Sequence, residues 1–334
     1  MPSRRFVRAC IESSFGVAKT TPVLGTDCCV LRLAPDAGSF KAEMTPTVDY
    51  IPYGGGRTTY ADSVADTAMV AGSVSTYLYP GIWATLLTNW ALTLVNAGRT
   101  TPWVTTDATS VMPPGDLASL CFYHAFQNPD GSYVREKWLG CKSTKGSIEV
   151  STKDRKVKFT SDFIGIKEVT NAFVAGEAAA PDATEFPAPS EADYPTGPYL
   201  FSHVGSGGGT MKIGTARTQI ESIKISWENS VYPDPYEKQV IQVARFTGRK
   251  ITTEIGLRYK ISPDDLASFQ NQSVQASQVI LDNGVHTFNL QLNAINKITG
   301  RDRDYTDGQE YATKVTLTNF WDPSAATDVT LTLT

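Results

Sequence analysis

The sequence predicts a mainly β protein made of two tandem β-sandwich or barrel-like domains, each with a short flanking α-helix. Three observations carry this. Thr, Ser, Gly, Val and aromatic residues are plentiful while charged residues make up only 19% of the chain, a balance that suits strands and turns better than helical bundles. Runs with period-two alternation recur between clusters of turn-forming residues. A strand that meets a proline and passes at once into helical spacing is written twice, in GSVSTYLYPGIWATLL (72–87) and TEIGLRYKISPDDLASF (253–269). With 334 residues, the chain is long enough for two domains that each bury a core.

In the first half, strands are expected at 39–46, 69–80, 119–126, 135–151 and 157–169, separated by turn signals such as NPDGS (128–132) and TKDRK (152–156). Between the second and third lies a helix that Pro80 or Gly81 can begin. Its residues Ile82, Trp83, Leu86, Leu87, Trp90 and Leu94 recur at spacings of three and four and form one wide apolar stripe that should lie on a sheet.

The second half repeats the plan with strands at 220–230, 249–260, 286–295, 311–320 and 328–334. Its helix start is marked by Ser262 as a cap, Pro263 in the first turn, and Asp264 and Asp265 where the helix dipole favours anions; Leu266 and Phe269 then face inward. The stretch 175–210, rich in Ala, Pro and Gly with no apolar period, reads as a linker or insertion. The expected division is therefore 1–174, with a long loop at 46–66, a linker at 175–210, and 211–334.

Composition and motifs exclude several functions. A formal charge of −4 argues against gripping nucleic acid through neutralised phosphates. The most apolar stretch, 81–95, contains Thr85, Thr88, Asn89 and Thr93 and is well short of the ~20 apolar residues that span a bilayer. No secretory signal is expected either, since the basic start is followed by IESSFGVAKT. The five cysteines Cys10, Cys28, Cys29, Cys121 and Cys141 form no regular framework, and free thiols in a reducing compartment are expected.

Cys121 and His124 are three apart, so on a strand they point to opposite faces and cannot share an ion. RDRDYTDGQE (301–310) has the wrong register for a calcium loop. YGGGRT and GSGGGT lack the Lys-Ser/Thr pair of a phosphate cradle, and no Gly-x-Ser-x-Gly elbow occurs. No catalytic residue, metal or cofactor is expected.

IESSFGVAKTTP (11–22), GGGRTTYADSVADTAMVAGSVSTYLYPGIWATLL (54–87), WLGCKSTKGSIEVS (138–151), KFTSDFIG (158–165) and IESIKISWENSV (220–231) together resemble the major tail tube proteins of long-tailed bacteriophages. The resemblance implies a non-enzymatic virion protein that is assembled in the bacterial cytoplasm. It would join its sheets around a ring and stack rings into a hollow tube through which double-stranded DNA leaves without tight binding. Implied partners are further copies of itself, the tape measure, the terminator and the tail tip, with no membrane. Family chains commonly carry one domain and form hexamers; a doubled chain points to a ring of three with pseudo-sixfold symmetry, with a ring of six chains as the alternative.

Assembly candidates sit in the connection between Pro46 and Asp66. Ile51, Pro52, Tyr53, Gly54, Gly55, Gly56, Arg57 and Tyr60 combine aromatic anchors, three glycines and one Arg, and are expected to reach a neighbouring ring or subunit. Two other roles fit the same lack of chemistry: another virion sandwich such as a terminator or capsid decoration, and a carbohydrate-binding sandwich. In the latter, Trp and Tyr would stack on sugars, but Trp83 and Trp90 fall on the helix stripe, where core packing accounts for them.

Overall fold

A computed structural model describes residues 5–19, 22–32, 40–53, 57–92, 94–95, 105–110, 119–151, 156–169, 186, 188–190, 193–194, 210–213, 215–217, 220–234, 243–257, 269–274, 277–282, 286–292, 295–304, 312–320 and 329–333. The first half contributes β1 (Arg5–Ser14), β2 (Val17–Ala18), β3 (Cys28–Leu31), β4 (Phe40–Tyr53), β5 (Arg57–Tyr77), α1 (Ile82–Leu92), β6 (Leu94–Val95), β7 (Thr105–Ser110), β8 (Leu120–Gln127), β9 (Tyr133–Ser151), β10 (Lys158–Gly165) and β11 (Lys167–Val169). The second half contributes β12 (Thr210–Ile213), β13 (Thr215–Arg217), β14 (Ile220–Asp234), β15 (Val243–Leu257), β16 (Ser277–Asp282), β17 (Thr287–Leu292), β18 (Ile295–Asp304), β19 (Ala312–Phe320) and β20 (Val329–Leu333). The protein is mainly β, and its sheets are open rather than closed into a barrel.

One layer is the antiparallel path β18-β19-β15-β14-β9-β10-β5-β4. Against it lie β1, β8, the first part of β9 and β11 in one half, and β13-β12-β16-β17-β20 in the other, the latter extended by β7 and β6. β9 belongs to both layers of its half: residues up to Cys141 pair with β8, and residues from Lys142 on pair with β10. Gly140 makes the switch with φ of +65°, a conformation that a side chain resists, and a Cβ there would also lie 2.6 Å from Ile166 Cγ1.

The two halves are written in the same strand order. Outward from the joint between them, β9-β10-β5-β4 uses third, fourth, second and first strands of its half; toward the joint, β18-β19-β15-β14 uses the same four roles in the same order. The second layer agrees, since β1-β8-β9-β11 corresponds to β12-β16-β17-β20.

Irregularities coincide as well. β9 carries an extra residue, Thr144, where Ser143 and Lys145 face consecutive residues of β10, and β18 carries an extra Thr299 where Ile298 and Gly300 face consecutive residues of β19. Carrying this match across the ladders makes Phe163 equivalent to Leu317, Gly72 to Thr253 and Phe40 to Ile225. Five residues further on, both hairpins bulge at equivalent points: Asp66 is extra opposite Thr45 and Pro46, and Thr247 is extra opposite Ser230 and Val231.

The main apolar cluster runs through both halves, from Val70, Trp90 and Phe159 to Trp227, Ile255, Leu317 and Leu331. A second, smaller cluster gathers Phe6, Tyr123 and Phe186, whose rings meet edge-on or tilted at centroid distances of 5.0 and 5.1 Å.

Three expectations differ from the structure. The segment 46–66 is no loop over its described residues, because β4 and β5 stay paired out to Tyr53 opposite Arg57. The first helix ends at Leu92, and Leu94 starts β6. Cys10 and Cys28 are disulfide-bonded while Cys29, Cys121 and Cys141 are free and buried; the β1–β3 register sets Cys10 directly opposite Cys28. Of the second helix, residues 269–271 are helical and its expected start lies outside the described residues.

Candidate assembly surface

Period-two alternation gives the long path an apolar face and a polar one. Ile148, Val150, Ile223, Ile225, Ile251 and Val315 are buried; the residues between them point outward. On that outward face three ion pairs cross neighbouring strands: Lys145 Nζ to Asp162 at 3.5 Å, Lys224 Nζ to Glu149 at 2.6 Å and Lys314 Nζ to Glu254 at 2.7 Å. Hydroxyls fill the rows between, from Ser147, Thr160, Ser226, Thr252 and Thr316. Burial pushes the Glu149 carboxyl up, but hydrogen bonds from Lys224 and Ser147 outweigh this and hold it below its usual value. Among the described residues such a face is polar and of mixed charge, with no stripe of one sign.

A shallow open depression on this face sits over Gly146 and Trp227, at the joint between the halves. There β14 pairs with β9 from Ser222 opposite Ser151 to Glu228 opposite Lys145. Trp227 is buried, donates from Nε1 to Ser143 Oγ at 3.0 Å and lies 5.5 Å from the Phe159 ring. The missing side chain of Gly146 leaves the room for it.

The first helix is fixed from both halves. Trp83 Nε1 donates to Val30 O and Trp90 Nε1 to Cys141 O, each at 2.8 Å. The carbonyls at its C-terminal end would otherwise lack partners. Asn229 Nδ2 reaches Ala91 O at 2.9 Å and Ser143 O at 3.1 Å, and Arg249 donates to Leu92 O. Leu86, Leu87 and Trp90 are buried as the stripe requires, and Trp83 and Phe269 are partly buried against the main cluster. Ile82 opens the helix; Leu266 lies outside the described residues.

Ile51, Pro52, Tyr53, Arg57 and Tyr60 come together near the end of the β4–β5 hairpin, where Ile51 faces Thr59, Pro52 faces Thr58 and Tyr50 faces Tyr60; Gly54, Gly55 and Gly56 lie outside the described residues. Beyond the matching bulge β14 and β15 form a second such arm, out to Asp234 opposite Val243. Sequence reasoning missed this twin, although Tyr232, Pro233 and Pro235 mark it much as Tyr50, Pro52 and Tyr53 mark the first.

Two buried polar groups serve the scaffold. Glu12 accepts from the backbone N–H of Gly140 at 2.7 Å and of Gly16 at 2.9 Å and from Ser119, and burial pushes its carboxyl up despite these bonds. His124 accepts from Arg5 Nε at 2.8 Å and meets Glu136 Oε2 at 3.0 Å through Nδ1. Among the described residues no group of three or more His, Cys, Asp or Glu could hold a metal ion, and no helix is long and apolar enough to cross a membrane.

A family model described as phage tail tube protein matches residues 2–331. The chain belongs to the phage tail tube protein family. It is thus a structural component of the virion tail that builds a tube with other copies of itself, in a family that is not one of enzymes. Among solved structures, this tail tube protein matches a chain of a virion of a native gene transfer agent particle with 14% identity and a TM-score of 0.28, covering 38% of this chain and 95% of that one. No curated protein matches it.

Proposed function

We propose that each chain supplies two tail-tube-like units, 1–174 and 211–334, joined by 175–210, and that three chains close one ring with pseudo-sixfold symmetry. The observation that carries this is the eight-strand path read as one order of four written twice. Three such paths give a wall of roughly 24 strands, which at about 4.8 Å each is a circumference near 115 Å and a bore of roughly 35–40 Å between backbones. A duplex about 20 Å across passes through that bore. The outward polar face then lines the lumen, where mixed charge lets DNA slide because few phosphates find a fixed cation.

The two hairpin arms of each chain reach the adjoining ring, with Ile51, Tyr53 and Tyr60 as anchors and Arg57 in a polar contact. Stacked rings meet the tape measure within, and the terminator and tail tip at the ends; assembly takes place in the host cytoplasm.

Negative-stain images with mass measurement of the smallest assembly test the reading. Hollow rings of three chains that extend into tubes are expected. A ring of six chains would overturn the stoichiometry, and a chain that stops at one ring would instead be a terminator.

A further inference from the structure

In an open path the end strands keep one edge each: among the described pairings β4 is laddered only to β5 and β18 only to β19. We infer that β4 of one chain pairs antiparallel with β18 of the next, in the register that β14 and β9 show within the chain. This rests on the ring reading above and supplies its subunit seam.

The register follows from the repeat. β14 is equivalent to β4 and β9 to β18, so the in-chain joint between β14 and β9 is a template for a joint between chains. The template pairs Ile225 with Ile148, Ser226 with Ser147, Trp227 with Gly146 and Glu228 with Lys145. Phe40 stands where Ile225 stands, and Thr299 where Thr144 stands. The bulge residues sit in Lys-Ser-Thr (142–144) and Lys-Ile-Thr (297–299), so the sequence keeps Lys and Thr at both. Carried over, the seam sets Phe40 opposite Arg303, Lys41 opposite Asp302, Ala42 opposite Arg301 and Glu43 opposite Gly300.

Chemistry at those positions fits a seam. Lys41 and Asp302 are opposite charges on directly facing positions, with the Lys on the same side of the joint as in the template's own Lys224–Glu149 pair. Size is exchanged across the joint: the template puts a large Trp227 against a Gly146 that has no room for a Cβ, while the seam puts a large Arg301 against Ala42. Arg301 faces the core side opposite Val315, lies 6.0 Å from the Phe269 ring, and has a buried Nη1 with no hydrogen-bond partner. A buried guanidinium N–H without an acceptor is costly, and a neighbouring strand brings backbone carbonyls to that edge. The template pairing ends at Glu228, the equivalent of Glu43, so Pro46, which cannot donate to a ladder, lies beyond the seam.

Disulfide trapping tests the register in assembled tubes. The Lys41→Cys/Asp302→Cys double variant should, on mild oxidation, run on a non-reducing gel as covalent species up to three chains. Each single variant, and Lys41→Cys paired with Lys297→Cys, should stay at one chain. Charge exchange checks it without new thiols: Lys41→Glu and Asp302→Lys should each lower tube yield roughly tenfold through repulsion repeated at every seam, and the combined exchange should restore it. Circular dichroism of the unassembled chains separates misfolding from lost assembly. Normal tubes in which only the off-register pair crosslinks, or in which the charge exchange fails to rescue, overturn the seam and leave the ring reading standing. Absence of rings from the unaltered chain overturns both.

Discussion

Replacing Gly146 by Ala probes the joint between the two halves with a single methyl group. The φ of Gly146 lies outside the left-handed region that favours glycine, so its role is space. An ideal Cβ there would lie 2.2 Å from the Thr160 carbonyl oxygen, 2.5 Å from Trp227 Cζ2 and 2.9 Å from Ser161 Cα. Two of these contacts are backbone atoms of β10, which cannot retreat without disturbing the β9–β10 ladder. The third is a ring wedged against Phe159 and tied to Ser143, whose hydroxyl is 2.8 Å from Ser161 Oγ. Overpacking of this kind costs about 1–3 kcal/mol, and loss of the Trp227 hydrogen bond adds about 1 kcal/mol. Gly146→Ala should therefore destabilise the unassembled chain by roughly 2–4 kcal/mol. Urea unfolding followed by tryptophan fluorescence measures it, as a lower midpoint at unchanged slope. Adding Trp227→Leu should relieve the ring contact and leave the carbonyl clash, so the double variant should fall short of the sum of the two single effects. A loss under about 0.5 kcal/mol, within the range of an ordinary surface change, would mean the joint is loosely packed and the reasoning built on it is wrong.

Asn229→Ala removes the donor that ties Ala91 O to Ser143 O and should cost about 1–3 kcal/mol, read from the same unfolding curves, with helical content falling before strand content. Glu12 has its folded-state value raised by burial, so the folded form holds its proton more tightly than the unfolded one. Its contribution to stability is complete below the unfolded value and is lost as pH rises through the folded one; urea midpoints between about pH 4 and pH 7 should accordingly slope less in Glu12→Gln. The Cys10–Cys28 bond closes a loop with a sequence separation of 18; Cys10→Ala/Cys28→Ala should lose about 2–4 kcal/mol, and dithiothreitol should lower the unfolding midpoint of the unaltered chain but not of the variant.

Much of the architecture was legible because one face of each strand is buried. Alternation in KFTSDFIG or VTLTL tells which residues face the core before any partner strand is known. The first helix was legible for the same reason, through the spacing of Leu86, Leu87 and Trp90. Pairing was not legible, since alternation fixes a strand's face and leaves its neighbour open. That is why Cys10 and Cys28 read as free thiols. The segment 46–66 misled through its two prolines and three glycines, which ordinarily mark loops; on an edge strand a proline can turn its missing N–H outward and the ladder continues. The outward face was equally hidden: Lys224 and Glu149 are far apart in sequence, and only the β14–β9 register brings them to 2.6 Å.

The two kinds of joint differ in what reinforces them. Within the chain, β7 crosses to pair with β20 in the second layer, doubling the β14–β9 connection, and Asn229 and Arg249 of the second half hold the end of the first half's helix. The second half has only residues 272–276 between its helical turn and β16, too few for a strand pair like β6 and β7. A β4–β18 seam therefore has no clasp of this kind behind it, and Met44 and Ala68, which occupy the positions of Asn229 and Arg249, cannot act as polar caps. The in-chain joint should form before any seam between chains, since its tethered partners cost little loop entropy. If the proposed seam closes the ring, it is the weaker joint, and the chain folds as a stable unit whose edges pair once enough copies are present. Tethering halves the number of seams a ring of six units must close, from six between chains to three, so the concentration at which rings appear should lie well below that of a chain split within 175–210.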